Sequence, residues 1–320
     1  LAAGNGALMN NTTGNYNVAL GFETLKQNST GYNNFALGYQ SLYNNTTGYS
    51  NIAFGNRALF NNQTGYDNIG IGVNALFSNN DGYFNTAVGR ETLQANTSGI
   101  QNTAIGNQAL FSNTLGDNNT AIGDQALYTN TEGVNNSANG RQSLFSNTLG
   151  SRNSAFGAQA LYNNTEGDWN TATGYRSLGD NNLGSYNSAF GYRALGSNID
   201  GSYNTAIGYL ANYENSLGSF WALESLSNTT AVGSFAQVFQ SNTLALGGQG
   251  VDAVKVGIGT GLPLNQLSVE SFRYATGTVD VTSGSGSVAG TGTTFTADMV
   301  GNLIYIESQD STVTPYVGTI

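Results

Sequence analysis

One glycine recurs at positions 4, 21, 38, 55, 72, 89, 106, 123, 140, 157, 174, 191 and 208, thirteen times at a spacing of 17 without a slip. In the same phase run a second glycine series from Gly14 to Gly218, an Asn series from Asn11 to Asn215, another from Asn17 to Asn204, and a Leu series from Leu8 to Leu195. Ala stands two residues before the first glycine from Ala2 to Ala206, with Gly70 the one exception. A period this strict makes the chain a repeat array, in which each unit relies on its neighbours for burial.

The unit length then selects the architecture. Seventeen residues are too few for the helix pairs of longer solenoids and for a strand-plus-helix repeat, which leaves a coil of short strands. The expected fold is therefore all-β, a parallel β-solenoid (β-roll) of 17-residue coils. Asn-Thr-Ala-Ile-Gly predicts one strand of about five residues, with Ala and Gly on one face and Thr and the bulky residue on the other. The small face suits a narrow interior. The bulky position, represented by Ile71, Ile105, Ile122, Phe156, Phe190 and Ile207, needs burial against something else, and a partner chain would supply it.

The following Ala-Leu-Phe or Ser-Leu-Tyr segment reads as a second short strand or a single helical turn, before Asn-Thr-x-Gly reverses the chain. The glycine of that turn is expected at positive φ. Asn45, Asn62, Asn79, Asn113 and Asn130 are expected to stack as an amide ladder, with Gly55, Gly72, Gly106 and Gly123 as further scaffold positions of the same register.

The array occupies residues 1–250. Its 17-residue coils reach about residue 218 by their glycine phase, an irregular excursion covers 213–227, and 14-residue-type coils follow over 228–250. The excursion is required because the glycine after Gly208 is Gly233, and Gly247 comes 14 residues later. Residues 251–274 read as a connector. Residues 275–320 read as a small β-domain, cut short at Ile320, with strands near Gly277–Val281, Ser287–Val288, Thr291–Phe295 and Val300–Ile304.

At Asn228-Thr-Thr-Ala-Val-Gly233 and Asn242-Thr-Leu-Ala-Leu-Gly247 the motif and spacing resemble the head repeat of trimeric autotransporter adhesins. The 17-residue variant is similar to long arrays in phage tail fibres and related bacterial surface fibres. That resemblance covers about residues 1–250 and implies a homotrimer of parallel β-rolls, left-handed within each chain. It also implies an extracellular setting, on a virion tail or a cell surface, and a fibre shaft that supports receptor binding and host attachment. The rival expectation is a bacterial surface adhesin or filament whose flank binds host matrix or glycans. An ice- or polysaccharide-binding solenoid ranks last, because Thr occupies the turns unevenly.

Composition narrows the chemistry. Nine Lys and Arg against 19 Asp and Glu give a net charge of −10, which repels phosphate backbones and anionic membrane surfaces, so no nucleic-acid partner is expected. Without Cys or His the chain has no thiolate, no imidazole ligand and no base titrating near neutrality. No apolar run approaches a membrane span. Asp117 and Asp168 lie three coils apart, too far for paired-carboxylate catalysis, and Gly257–Gly259 lacks the context of a phosphate cradle. Neither enzyme activity nor a cofactor is expected. Tyr32, Tyr49, Tyr66 and Tyr83 recur at one turn position, with Trp169, Tyr186 and Tyr203 one residue later in subsequent coils; they read either as a packing ladder or as a glycan contact. Asn45-Thr-Thr47 matches a glycosylation acceptor, but the turn itself calls for these residues.

Overall fold

The structure, a computed structural model, describes residues 1–213 and 226–247, together with four strands between 278 and 319. The chain divides into two units, Leu1–Gln266 and Leu267–Ile320. The connector and most of the excursion lie outside the described residues.

The first unit holds β1 (Ala2–Ala3), β2 (Val18–Leu20), β3 (Phe35–Leu37), β4 (Ile52–Phe54), β5 (Ile69–Ile71), β6 (Thr86–Val88), β7 (Thr103–Ile105), β8 (Thr120–Ile122), β9 (Ser137–Asn139), β10 (Ser154–Phe156), β11 (Thr171–Thr173), β12 (Ser188–Phe190), β13 (Thr205–Ile207), β14 (Thr230–Val232) and β15 (Leu244–Leu246). They form one 15-stranded sheet in chain order, every paired neighbour parallel, with Ala104 opposite Ala121 and Ile105 opposite Ile122. The architecture is thus a parallel β-solenoid with one strand per coil. Thr205 pairs with Thr230 and Thr230 with Leu244, so the register survives both the long and the short interval. At about 4.8 Å per strand the sheet extends roughly 65 Å. In the second unit β16 (Thr278–Val281) pairs antiparallel with β17 (Val288–Thr291), and β18 (Leu303–Ile306) with β19 (Tyr316–Thr319).

Strands β2 to β15 are three residues long rather than five, and the dihedrals explain why. In the coil of β5, Asp67 is left-handed (φ 52°) just before Asn68, and Gly72 (φ 134°) follows the strand. Each strand is pinned between these two breaks. The second half of the coil is neither strand nor helix, and no helix occurs among the described residues. It contains two more left-handed positions, as at Arg57 and Leu59, both at φ 53°. Each such residue costs about 1 kcal/mol. What holds them is continued coil-to-coil bonding: the Arg57 N–H donates back to the Tyr39 carbonyl (2.9 Å), and those of Leu59 and Asn61 donate forward to Ala75 (2.9 Å) and Phe77 (3.0 Å).

The interior is narrow. The coils from Leu25 to Leu195 each bury a Leu with small partners, as Leu59 with Ala53 and Ala58, all fully excluded from solvent. Where Ser or Thr replaces the second Ala, its hydroxyl donates to a carbonyl, as from Thr92 to Gly106 (2.8 Å) and Ser41 to Ala53 (3.0 Å). The rest of the core is amide. Asn45 Nδ2 donates to Asn28 Oδ1 (2.6 Å) and to the Gly48 carbonyl (2.9 Å), and Asn62, Asn79, Asn113 and Asn130 repeat the pattern.

A second buried ladder runs through Asn17 to Asn204. Asn34 Nδ2 donates to the Gly48 carbonyl (2.8 Å), while its Oδ1 accepts from the Asn51 N–H (3.0 Å). One turn-glycine carbonyl therefore takes both amides of its coil pair. This corrects the expectation for the turn glycine: Gly48 and its repeats are not at positive φ, and a Cβ there would overlap Asn45 Oδ1 and the Gly65 carbonyl. Space fixes that glycine. The positive φ belongs to the other series, at Gly55, Gly72, Gly106 and Gly123 (143°, 134°, 136° and 135°), where a Cβ would also strike the next coil's backbone.

Candidate functional site

With Ala turned inward, the residues on either side of it in each strand point outward and align into two columns. The later one forms an apolar ridge. Ile71, Ile105, Ile122, Phe156, Phe190 and Ile207 are 37–44% exposed within the single chain, interrupted by Asn139 and Thr173. The earlier column is apolar in β2 to β5 and then hydroxyl-bearing from Thr86 to Thr230.

The corners carry aromatic stacks. Tyr32, Tyr49, Tyr66 and Tyr83 lie face to face with ring centres 4.9, 4.8 and 4.7 Å apart and planes within 7°. Phe84 meets Tyr66 and Tyr83 edge-on. Each inner ring thus has both π faces covered by its own copies, and a sugar approaching the side of the stack would meet ring edges and hydroxyls. Burial raises the Tyr49 phenol above its ordinary pKa, and Tyr66, Tyr32 and Asp67 push the same way. One position later in the same turn, in the column of Phe84, Trp169, Tyr186 and Tyr203 stack in the later coils, with the Arg152 guanidinium 4.8 Å over the indole.

An outer amide chain runs along another edge. Arg176 Nε donates to Gln159, and Gln159, Gln142, Gln125 and Gln108 each donate to the residue 17 before, ending on Glu91 Oε2, at 2.9–3.1 Å throughout. The shorter chain Arg57 to Gln40 to Glu23 repeats the rule. A carboxylate stands at each accepting end and a guanidinium at each donating end. Gln108 and then Arg90 hold the Glu91 carboxyl below its ordinary range; Lys26, followed by Gln40, does so for Glu23.

No protein-family model matches the chain, and no curated protein matches it in sequence.

The acids singled out by the sequence have backbone partners. Asp117 accepts from the Ile100 N–H (2.8 Å) and Asp168 from the Ser151 N–H (2.6 Å), each bracing the preceding coil. Among the described residues no three His, Cys, Asp or Glu stand together, and no helix is long and apolar enough to cross a membrane. A shallow depression of about 550 Å³ lies between Asn163, Asp180 and Ile199. Asn45 is buried with its amide donating twice, so its acceptor triplet is closed to modification in the folded chain.

Sequence reasoning did not assign the outer amide chain or the bonding of the second Asn ladder. Both left a signal. Gln108, Gln125, Gln142 and Gln159 repeat at the coil period between Glu91 and Arg176, and Asn17 to Asn204 is unbroken.

Proposed function

We propose that this chain is the structural shaft of a phage tail fibre or tail-like particle, carrying a host-attachment region away from the particle outside the cell. Three copies lie side by side with their ridges facing inward, and the shaft itself performs no catalysis. The observation that supports this reading most is the unbroken register of fifteen parallel strands combined with a ridge of large apolar side chains exposed in the isolated chain. Rows of this kind mark surfaces that another protein covers.

The alternative reading is a bacterial surface adhesin or extracellular filament that binds glycan or matrix along its flank. Its support is the exposed Trp169, Tyr186 and Tyr203 corner. Labelling with an antibody to the repeat separates the two under the electron microscope. Label on virion tails supports the first reading; label confined to filaments rooted in a cell envelope overturns it in favour of the second.

A further inference from the structure

Tyrosine columns in this chain differ in what stands on the next coil. Tyr32, Tyr49, Tyr66 and Tyr83 follow one another on successive coils, with ring centres 4.9, 4.8 and 4.7 Å apart. The backbone pins them rung to rung: the carbonyls of Tyr32, Tyr49 and Tyr66 accept from the N–H groups of Ser50, Asp67 and Phe84 at 3.0, 3.1 and 3.2 Å. Elsewhere tyrosine alternates with phenylalanine. Tyr43 stacks on Phe60 (5.2 Å), and Tyr128 and Tyr162 lie on opposite faces of Phe145 (5.2 and 5.1 Å). Tyr49, Tyr66 and Tyr83 are half-buried, and so are Tyr43, Tyr128 and Tyr162, so neighbour rather than exposure separates the two kinds.

Phenols held this close can couple. A one-electron oxidant takes an electron from a phenol, the proton leaves to water, and the unpaired spin spreads to the ring carbons ortho to the oxygen. Two such radicals on adjoining rungs join through those carbons in a C–C bond, and each ring becomes aromatic again as its ortho hydrogen passes to the oxygen. The net change is loss of two electrons and two protons from two phenols, with both hydroxyls kept. The torsion that turns a Tyr ring is broad, so neighbouring rings can tilt edge to edge while the backbone stays in place. Holding the partners side by side makes the step unimolecular. Tyr128 and Tyr162 lack this advantage, because the ring between them has no phenol.

We infer that the ladder from Tyr32 to Tyr83 is a site of oxidative modification, at which a peroxide-driven one-electron oxidant converts adjoining tyrosines into dityrosine and staples successive coils of one chain. The chain has no cysteine, so no disulfide can serve as such a staple. Each cross-link closes a loop of one coil and thereby restricts the unfolded chain. The inference stands apart from the fibre reading, since every group it uses belongs to a single chain.

The test illuminates the dilute native chain briefly with tris(bipyridine)ruthenium and persulfate, a small one-electron oxidant, under conditions that couple free N-acetyltyrosine amide. Denaturing electrophoresis separates single chains from joined ones, and mass spectrometry of peptic peptides maps the cross-links. The expected result is dityrosine fluorescence in the single-chain band, with linked peptides two hydrogens lighter than their parts that join Tyr32 to Tyr49, Tyr49 to Tyr66 or Tyr66 to Tyr83. Tyr49→Phe with Tyr83→Phe keeps every ring in the stack but places phenylalanine between the remaining phenols, the pattern the chain already uses around Phe145. In that double variant the ladder cross-links are expected to vanish, with circular dichroism matching the parent. A Tyr32-to-Tyr66 link formed there at the native yield, Tyr128-to-Tyr162 links as abundant as those of the ladder, ladder links confined to joined chains, or a native ladder left uncoupled would each overturn the inference.

Discussion

At the residue scale, two glycines per coil are fixed by different physics. Gly106 combines positive φ with contact against the next coil, whereas Gly116 is fixed by contact alone, because a Cβ would overlap Asn113 Oδ1 and the Gly133 carbonyl. Gly116→Ala is therefore expected to destabilise by about 1–3 kcal/mol, the range for overpacking a tight interior, despite its ordinary φ. Thermal and urea melts of Gly116→Ala beside Gly106→Ala check this; a neutral Gly116→Ala would show that the Asn ladder yields easily. The identities of Ala, Leu, Asn and Gly were legible in the sequence because one side chain serves the same role in every coil. Backbone conformation was not. Left-handed Leu59 and Arg57 carry no compositional mark, since these residue types avoid that region when free.

At the element scale, coils are tied by directional chains of polar groups, and the titratable ends of those chains set a pH window. Glu23 and Glu91 have lowered pKa values. Their contribution is present above the ordinary carboxylate range and lost as pH falls through the lowered folded values. Tyr49 is raised, so its contribution is intact below the ordinary phenol pKa and lost as pH rises through the folded one. Melting temperature is expected to hold a plateau between these limits. Glu91→Gln should flatten the acid limb, Tyr49→Phe should flatten the alkaline limb, and Glu91→Lys should lower the plateau itself, since it removes the acceptor on which the chain from Arg176 terminates. Melts across pH measure all three, and an unchanged acid limb in Glu91→Gln would count against the capped-chain account. Strand existence and register were readable from the period; strand length was not, because it depends on the dihedrals at Asp67 and Gly72.

At the scale of the whole molecule, the coils from Leu25 to Leu195 each bury one Leu with small partners against 17 ordered backbones, so stability must come from stacking between coils and, in the proposed assembly, from the copies that cover the ridge. The sequence marked the ridge as apolar and in need of cover. The ridge is exposed in the isolated chain, and the interior is built on amide ladders rather than on the bulky column. In the proposed assembly, copies of this chain cover one another along the ridge. The most direct measurement is the solution mass by light scattering of the native sequence and of Ile105→Asp with Ile122→Asp. A trimer mass is expected for the first and a folded monomer for the second, since charges on two adjacent rungs cannot be buried between chains without partners. A trimer mass retained by the double variant, or a monomer mass for the native chain, would contradict it.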